Sequence, residues 1–141
     1  MCLALYVASD KPLPLIPWNE SLPDFTVIHL IEEDQKVVAH FSKPCIYFVA
    51  TKLGCACDFQ YGQYDQAEEQ EEAEGRSSVR QLSEYLAQET QRVGGLEMFC
   101  CMEGDQEKAP TSHAELHPSD FGGEAFTLVE GQWARVLPDA A

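Results

Sequence analysis

Cys45-Ile46-Tyr47-Phe48-Val49-Ala50-Thr51 is the stretch that decides the fold. Its β-branched and aromatic side chains suit a pleated, packed surface, so it predicts a central strand. Lys43-Pro44 interrupts the chain just before it. Lys52-Leu53-Gly54-Cys55-Ala56-Cys57-Asp58-Phe59 follows, with Tyr61 and Tyr64 in a polar loop. From Ser77 the hydrophobic period changes. Val79, Leu82, Leu86 and Val93 fall on one helical stripe with Tyr85 beside it, which predicts a main helix over 77–93. Ser78 with Gln81 fits a capping box, and Gly94-Gly95 supplies the stop. Leu96 to Met102 is a short apolar run that reads as a buried strand. This is a strand–helix–strand sequence. If its two strands pair in parallel, the helix crosses over between them and both C-terminal ends reach one edge of the sheet.

Upstream, Met1 to Ser9 reads as a first strand. Three prolines within Lys11–Trp18 predict an extended connector. Phe25 to Ile31 is nearly all apolar and reads as a strand. Glu32-Glu33-Asp34-Gln35-Lys36 breaks it, and Val37 to Phe41 is expected to return as the second arm of a hairpin. Downstream, Ser112 to Leu116 alternates like a strand, although Ser112 with Glu115 also matches a capping box. Phe126–Val129 and Trp133–Leu137 predict a terminal hairpin around Glu130-Gly131-Gln132. The expectation is a single α+β domain over residues 1–141, with a mixed sheet of six or seven strands and one main helix. Segment 65–75 carries Asp65, Glu68, Glu69, Glu71, Glu72 and Glu74 without a base before Arg76. Such a block repels itself and is expected to be a mobile or solvated stretch.

Nine Lys and Arg against 24 Asp and Glu give the 141-residue chain a formal charge of −15. Phosphate contacts need clustered cations, so the balance argues against nucleic acid and anionic membranes. It favours a monomer or small homo-oligomer, or a protein partner with a basic surface. No basic residue precedes the apolar start and no apolar run is long enough for a membrane span, so a cytoplasmic location with reduced cysteines is expected.

Among the six cysteines, Gly54-Cys55-Ala56-Cys57 carries the sharpest chemistry. Cysteines two apart in a loop can turn both sulfurs inward, and thiolates suit zinc or an iron–sulfur centre. Cys100 and Cys101 are neighbours in a strand, so only one can join that loop at any site. The candidate ligands are thus Cys55, Cys57 and one of Cys100 and Cys101, with Asp58, a histidine or water to complete a tetrahedron. Without metal, the same cluster could serve as a redox pair. The plainer alternative is two packed thiols at a strand end, as Cys45 and Cys2 are expected to be.

Cys2 also has the position of an N-terminal nucleophile, as in class II glutamine amidotransferases, but Leu3 stands where those have glycine and the chain is short for that fold. His113 and His117 could share a metal on a helix, about 6 Å apart. On a strand they would lie about 13 Å apart, too far for one ion. His29 and His40 fall in predicted strands and read as hydrogen-bonded structural residues.

Met-Cys-Leu-Ala-Leu-Tyr at the start, Phe41-Ser42-Lys43-Pro44 and Gly54-Cys55-Ala56-Cys57-Asp58-Phe59 together resemble a family of small uncharacterised bacterial proteins, in which a Gly-Cys-x-Cys-x-Phe loop follows an aromatic strand. The resemblance covers about the first 60 residues. It implies a bacterial cytosolic origin and brings no activity or functional residue. Two functional readings stand side by side: a metal-binding or thiol-redox site around Cys55 and Cys57, and a non-catalytic acidic interaction module that contacts a basic partner through the Asp65–Glu74 segment.

Overall fold

The computed structural model describes residues 2–17, 25–51, 56, 59, 69–122 and 128–139, with residues 69–76 and 122 described by their backbone alone. Six strands form one mixed sheet: β1 Leu3–Ser9, β2 Phe25–His29, β3 Cys45–Thr51, β4 Leu96–Met102, β5 Ser112–Leu116 and β6 Gln132–Val136. Their spatial order is β2-β3-β1-β4-β6-β5. Every neighbouring pair is antiparallel except β5 and β6, which run parallel. The single long helix, α1, spans Glu69–Val93. The chain is an α+β single domain.

β1 occupies the middle of the sheet, and all seven of its residues are buried. Strand alternation sends Leu3, Leu5 and Val7 to one face and Ala4 and Tyr6 to the other. The first set joins the main core with Val79, Leu82, Tyr85 and Leu86 of α1. The helical stripe is therefore buried against the sheet as its period predicts, with Val93 half-buried at the end. Burying a large aliphatic side chain contributes about 1.5–3 kcal/mol, so this stripe accounts for much of the helix's stability. The second set joins a smaller core with Val37, Phe99 and Cys101 on the face away from α1.

α1 begins at Glu69 rather than near Ser77. Ser78 is buried within the helix instead of capping it, and Gln81 donates from Nε2 to Ser77 Oγ one turn back, at 3.3 Å. The stretch ahead is rich in Glu, Gln and Ala, good helix formers, and the negative charge of its glutamates suits the positive end of the helix dipole. At the other end Gly94 adopts φ +90° and donates to Thr90 O at 2.8 Å, ending the helix where expected.

The proline connector is extended and lies along α1. Pro14 O accepts from Tyr85 Oη at 2.8 Å and Pro12 O from the Arg92 guanidinium at 2.7 Å. Leu13 is buried and donates its N–H to Tyr47 Oη at 2.9 Å. Ile16 then pairs with Val27 on the outer side of β2.

Three further sequence expectations change. Val37–Phe41 is not a strand, because Glu32–His40 forms a run of 3₁₀ turns. Val37 is buried and Phe41 packs half-buried on the same core, but Ala39 between them is exposed, so the stretch lacks the alternation that a strand would need. β3 and β4 do not pair in parallel. β1 lies between them, antiparallel to both, so they run in the same direction one strand apart. β6 is inserted between β4 and β5. Of its expected hairpin partner Phe126–Val129, Leu128 and Val129 are not in a strand, and Phe126 and Thr127 lie outside the described residues. Among the described residues no helix is long and apolar enough to cross a membrane.

Candidate functional site

The expected thiol site is the first to place. Cys55, Cys57 and Asp58 lie outside the described residues. Ala56 and Phe59 are described, and both are fully buried. Ala56 donates its N–H to Leu3 O at 3.0 Å, which ties this loop to the start of β1, opposite Met102 of β4. Ala56 and Phe59 share the helix-side core with Cys100, whereas Cys101 belongs to the opposite face. Alternation thus separates the two neighbouring cysteines, and the described part of the loop packs on the Cys100 side.

Burial pushes the Cys101 thiol up to about 12, helped by the carboxylates of Asp105, Asp34, Glu130 and Glu103. Such a thiol stays protonated at neutral pH and is a poor nucleophile. Among the described residues no group of three or more His, Cys, Asp or Glu is arranged to hold a metal ion. The four histidines make ordinary packing and hydrogen-bond contacts. His29 stacks on Tyr47, His113 packs on Trp133, and His117 Nδ1 lies 3.1 Å from Pro138 O. His40 Nε2 lies 2.7 Å from Gln106 O; since a carbonyl can only accept, His40 carries its proton on Nε2.

The face away from α1 holds a site that sequence reasoning missed. A cleft of about 430 Å³ opens there between β1, β3, the 3₁₀ segment and the turn after β4. Its floor begins with Tyr6, which the middle strand aims away from the helix. The phenol donates to Asp34 Oδ1 at 2.8 Å across 28 residues of chain. Burial holds this phenol well above the usual tyrosine range, against an opposing pull from the Gln106 amide and with a further push from Asp34. It is therefore a fixed donor at any physiological pH. Gln106 Nε2 donates to both Tyr6 Oη at 3.2 Å and Asp34 Oδ1 at 3.3 Å. The position of Gln106 is set by the His40 bond to its carbonyl and by Gly104 N–H, which donates to its Oε1 at 2.9 Å. Gly104 makes this turn with φ +98°, a conformation that side chains other than glycine's resist.

Asp34 is only 8% exposed. Both Tyr6 and Gln106 address its Oδ1, while Oδ2 accepts no hydrogen bond from a described residue and is in touch with solvent. Ile28, Ile31 and Phe48 supply apolar wall, and Glu33 and Glu103 add two more carboxylates. Among the described residues no lysine or arginine lines the cleft. A buried carboxylate with one oxygen held and the other open, among apolar walls and further acids, is a seat for a positive charge.

No family model, curated protein or solved structure matches the chain. The fold and this cleft therefore carry the functional argument by themselves.

Proposed function

We propose that this protein is a non-catalytic binding module for a cationic ligand, bound in the cleft on the sheet face that α1 does not cover. The observation that carries this reading is the open Oδ2 of Asp34 in a cleft whose other described charged residues, Glu33 and Glu103, are both acidic. The overall charge of −15 supports it by drawing cations towards the molecule before contact. A basic partner is thus expected at this face, and a cytoplasmic location accords with cysteines 2, 45 and 101, which form no disulfide. Calorimetric titration with a panel of small cations and matched anions tests the reading. Saturable binding of cations alone, weakened by Glu103→Lys at the exposed rim, is expected. Equal binding of anions, or no effect of Glu103→Lys, would overturn it.

A second reading keeps a thiol site around Cys55 and Cys57, for zinc or an iron–sulfur centre. It is supported by the Ala56–Leu3 bond, because Ala56 separates the two cysteines in the chain and shares a core with Cys100. Anaerobic purification followed by elemental analysis should find stoichiometric metal that Cys55→Ser and Cys57→Ser each remove. Metal-free protein with slow-reacting thiols would end this reading.

A further inference from the structure

We infer that the cleft selects an ammonium group that retains N–H bonds and is carried on an apolar stem, that is, a small primary amine. This rests on the cation-binding reading above and specifies its ligand. The selecting atom is Asp34 Oδ2. Its carboxylate is held in place, since Tyr6 and Gln106 both donate to Oδ1. The remaining oxygen is a pure acceptor and needs a donor hydrogen from whatever enters. An ammonium supplies that hydrogen together with its charge, making the shorter and stronger kind of hydrogen bond. A quaternary ammonium has no N–H to give. It is normally held by the faces of several aromatic rings. Here Phe48 is the only half-exposed ring among the described lining residues, since Tyr6 is fully buried.

The stem is argued from the other wall. Ile28, Ile31 and Phe48 form an apolar side to the cleft. Ile31 is 51% exposed and is among the few large apolar side chains left so open in the described protein. A stem running from Asp34 over Ile31 would cover it, and apolar area removed from water is a main source of affinity. The cleft's volume of about 430 Å³ lies near the lower end of the small-molecule range of about 300–1,000 Å³, which suits a single ring or short chain.

The same chemistry is available from a free amine or from a lysine side chain. The test uses the full chain and four probes: phenethylamine, its N,N,N-trimethyl analogue, methylamine, and Nα-acetyl-lysine amide. Phenethylamine is expected to bind at least tenfold more tightly than both the trimethyl analogue and methylamine. Asp34→Asn should remove the preference over the trimethyl analogue, because the amide can still accept from Tyr6 and Gln106 while turning an N–H donor towards the cleft. Ile31→Ala, at an exposed position that cannot compromise the core, should weaken phenethylamine but not methylamine. Lysine amide binding as tightly as phenethylamine would identify a protein side chain as the source, and weaker lysine binding would identify a free amine. Equal affinity for primary and trimethyl forms, or a preference that survives Asp34→Asn, would overturn the inference while leaving cation binding intact. Failure of every cation to bind would instead overturn the broader reading.

Discussion

Two carboxylates lie buried on the same face of the sheet, and they differ in what they have left to offer. Glu97, 5% exposed at the start of β4, is saturated. Its Oε1 accepts from the N–H groups of Ser42 and Lys43 at 2.9 and 3.0 Å, and its Oε2 accepts from Ser42 Oγ at 2.7 Å. Asp34, 8% exposed on the 3₁₀ segment, has one oxygen doubly occupied and the other open to a cleft. Burial alone therefore does not separate a structural acid from a binding one. The distribution of partners over the two oxygens does. Glu97 pins the Phe41–Pro44 turn to the sheet, while Asp34 is held at one oxygen so that the other can be presented.

This contrast can be broken by substitution. The largest effect on stability is expected from Glu97→Ala, which strands three donors on the Ser42–Lys43 turn. A buried charged hydrogen-bond set of this kind should cost on the order of 3 kcal/mol in urea unfolding, with amine affinity unchanged. A stability loss below about 1 kcal/mol would mean that water replaces the carboxylate and that Glu97 is less structural than its bonds imply. Tyr6→Phe removes a single donor and should cost about 1–2 kcal/mol. It should also loosen amine binding, since only Gln106 would then hold Asp34. Asp34→Asn should change stability by less than about 1 kcal/mol because both donors keep their acceptor, yet it should lower amine affinity at least tenfold. If Asp34→Asn is as destabilising as Glu97→Ala, the two carboxylates are equivalent and the comparison fails.

A smaller effect concerns Cys101, whose neighbours include the same Asp34. Its thiol is raised from 9.0 to about 12 in the folded protein. The fold therefore holds this proton more tightly than the unfolded chain does. The associated stability is fully present below pH 9 and declines as pH rises towards 12. Cys101→Ala should make the alkaline fall in Tm shallower, and an unchanged slope would show that other groups dominate it. The smallest effect is expected at Lys36–Glu107, a 3.0 Å pair with both side chains 70% exposed. Lys36→Ala should alter unfolding by less than about 0.5 kcal/mol, since solvent and salt screen such pairs.

Much of this architecture was legible from local pattern. The runs Cys45–Thr51 and Leu96–Met102 are buried strands, and the Val79–Leu82–Leu86 stripe faces the sheet. Each of these has a period that one face of an element must satisfy. The opposite destinations of Cys100 and Cys101 follow from the same alternation. The start of α1 lies ahead of the capping signal at Ser78 because strong helix formers precede it. The cleft had no such signature. Asp34 sits in a run of acids that reads as a polar break, and its partners are 28 and 72 residues away. A 3₁₀ run also lacks the repeating apolar face that would have marked Val37 as core and Asp34 as inward-facing. The placement of β1 between β3 and β4, which brings Tyr6 to the middle of the distal face, is likewise a long-range choice that no single window records.

The pairing of Ile16 with Val27 has a consequence for how these molecules behave in a crowd. β2 is the last strand on its side of the sheet, and such a strand invites another chain to add to it. Ile16 N–H donates to Val27 O and Val27 N–H donates to Ile16 O, each at 2.9 Å, so the backbone groups at the centre of that edge are already taken. Prolines at positions 12, 14 and 17 flank the bridging residue and cannot extend it into a regular ladder, because each lacks an N–H. The chain thereby shields β2 with a short strap that cannot itself propagate, and sheet-to-sheet polymerisation is obstructed along this side.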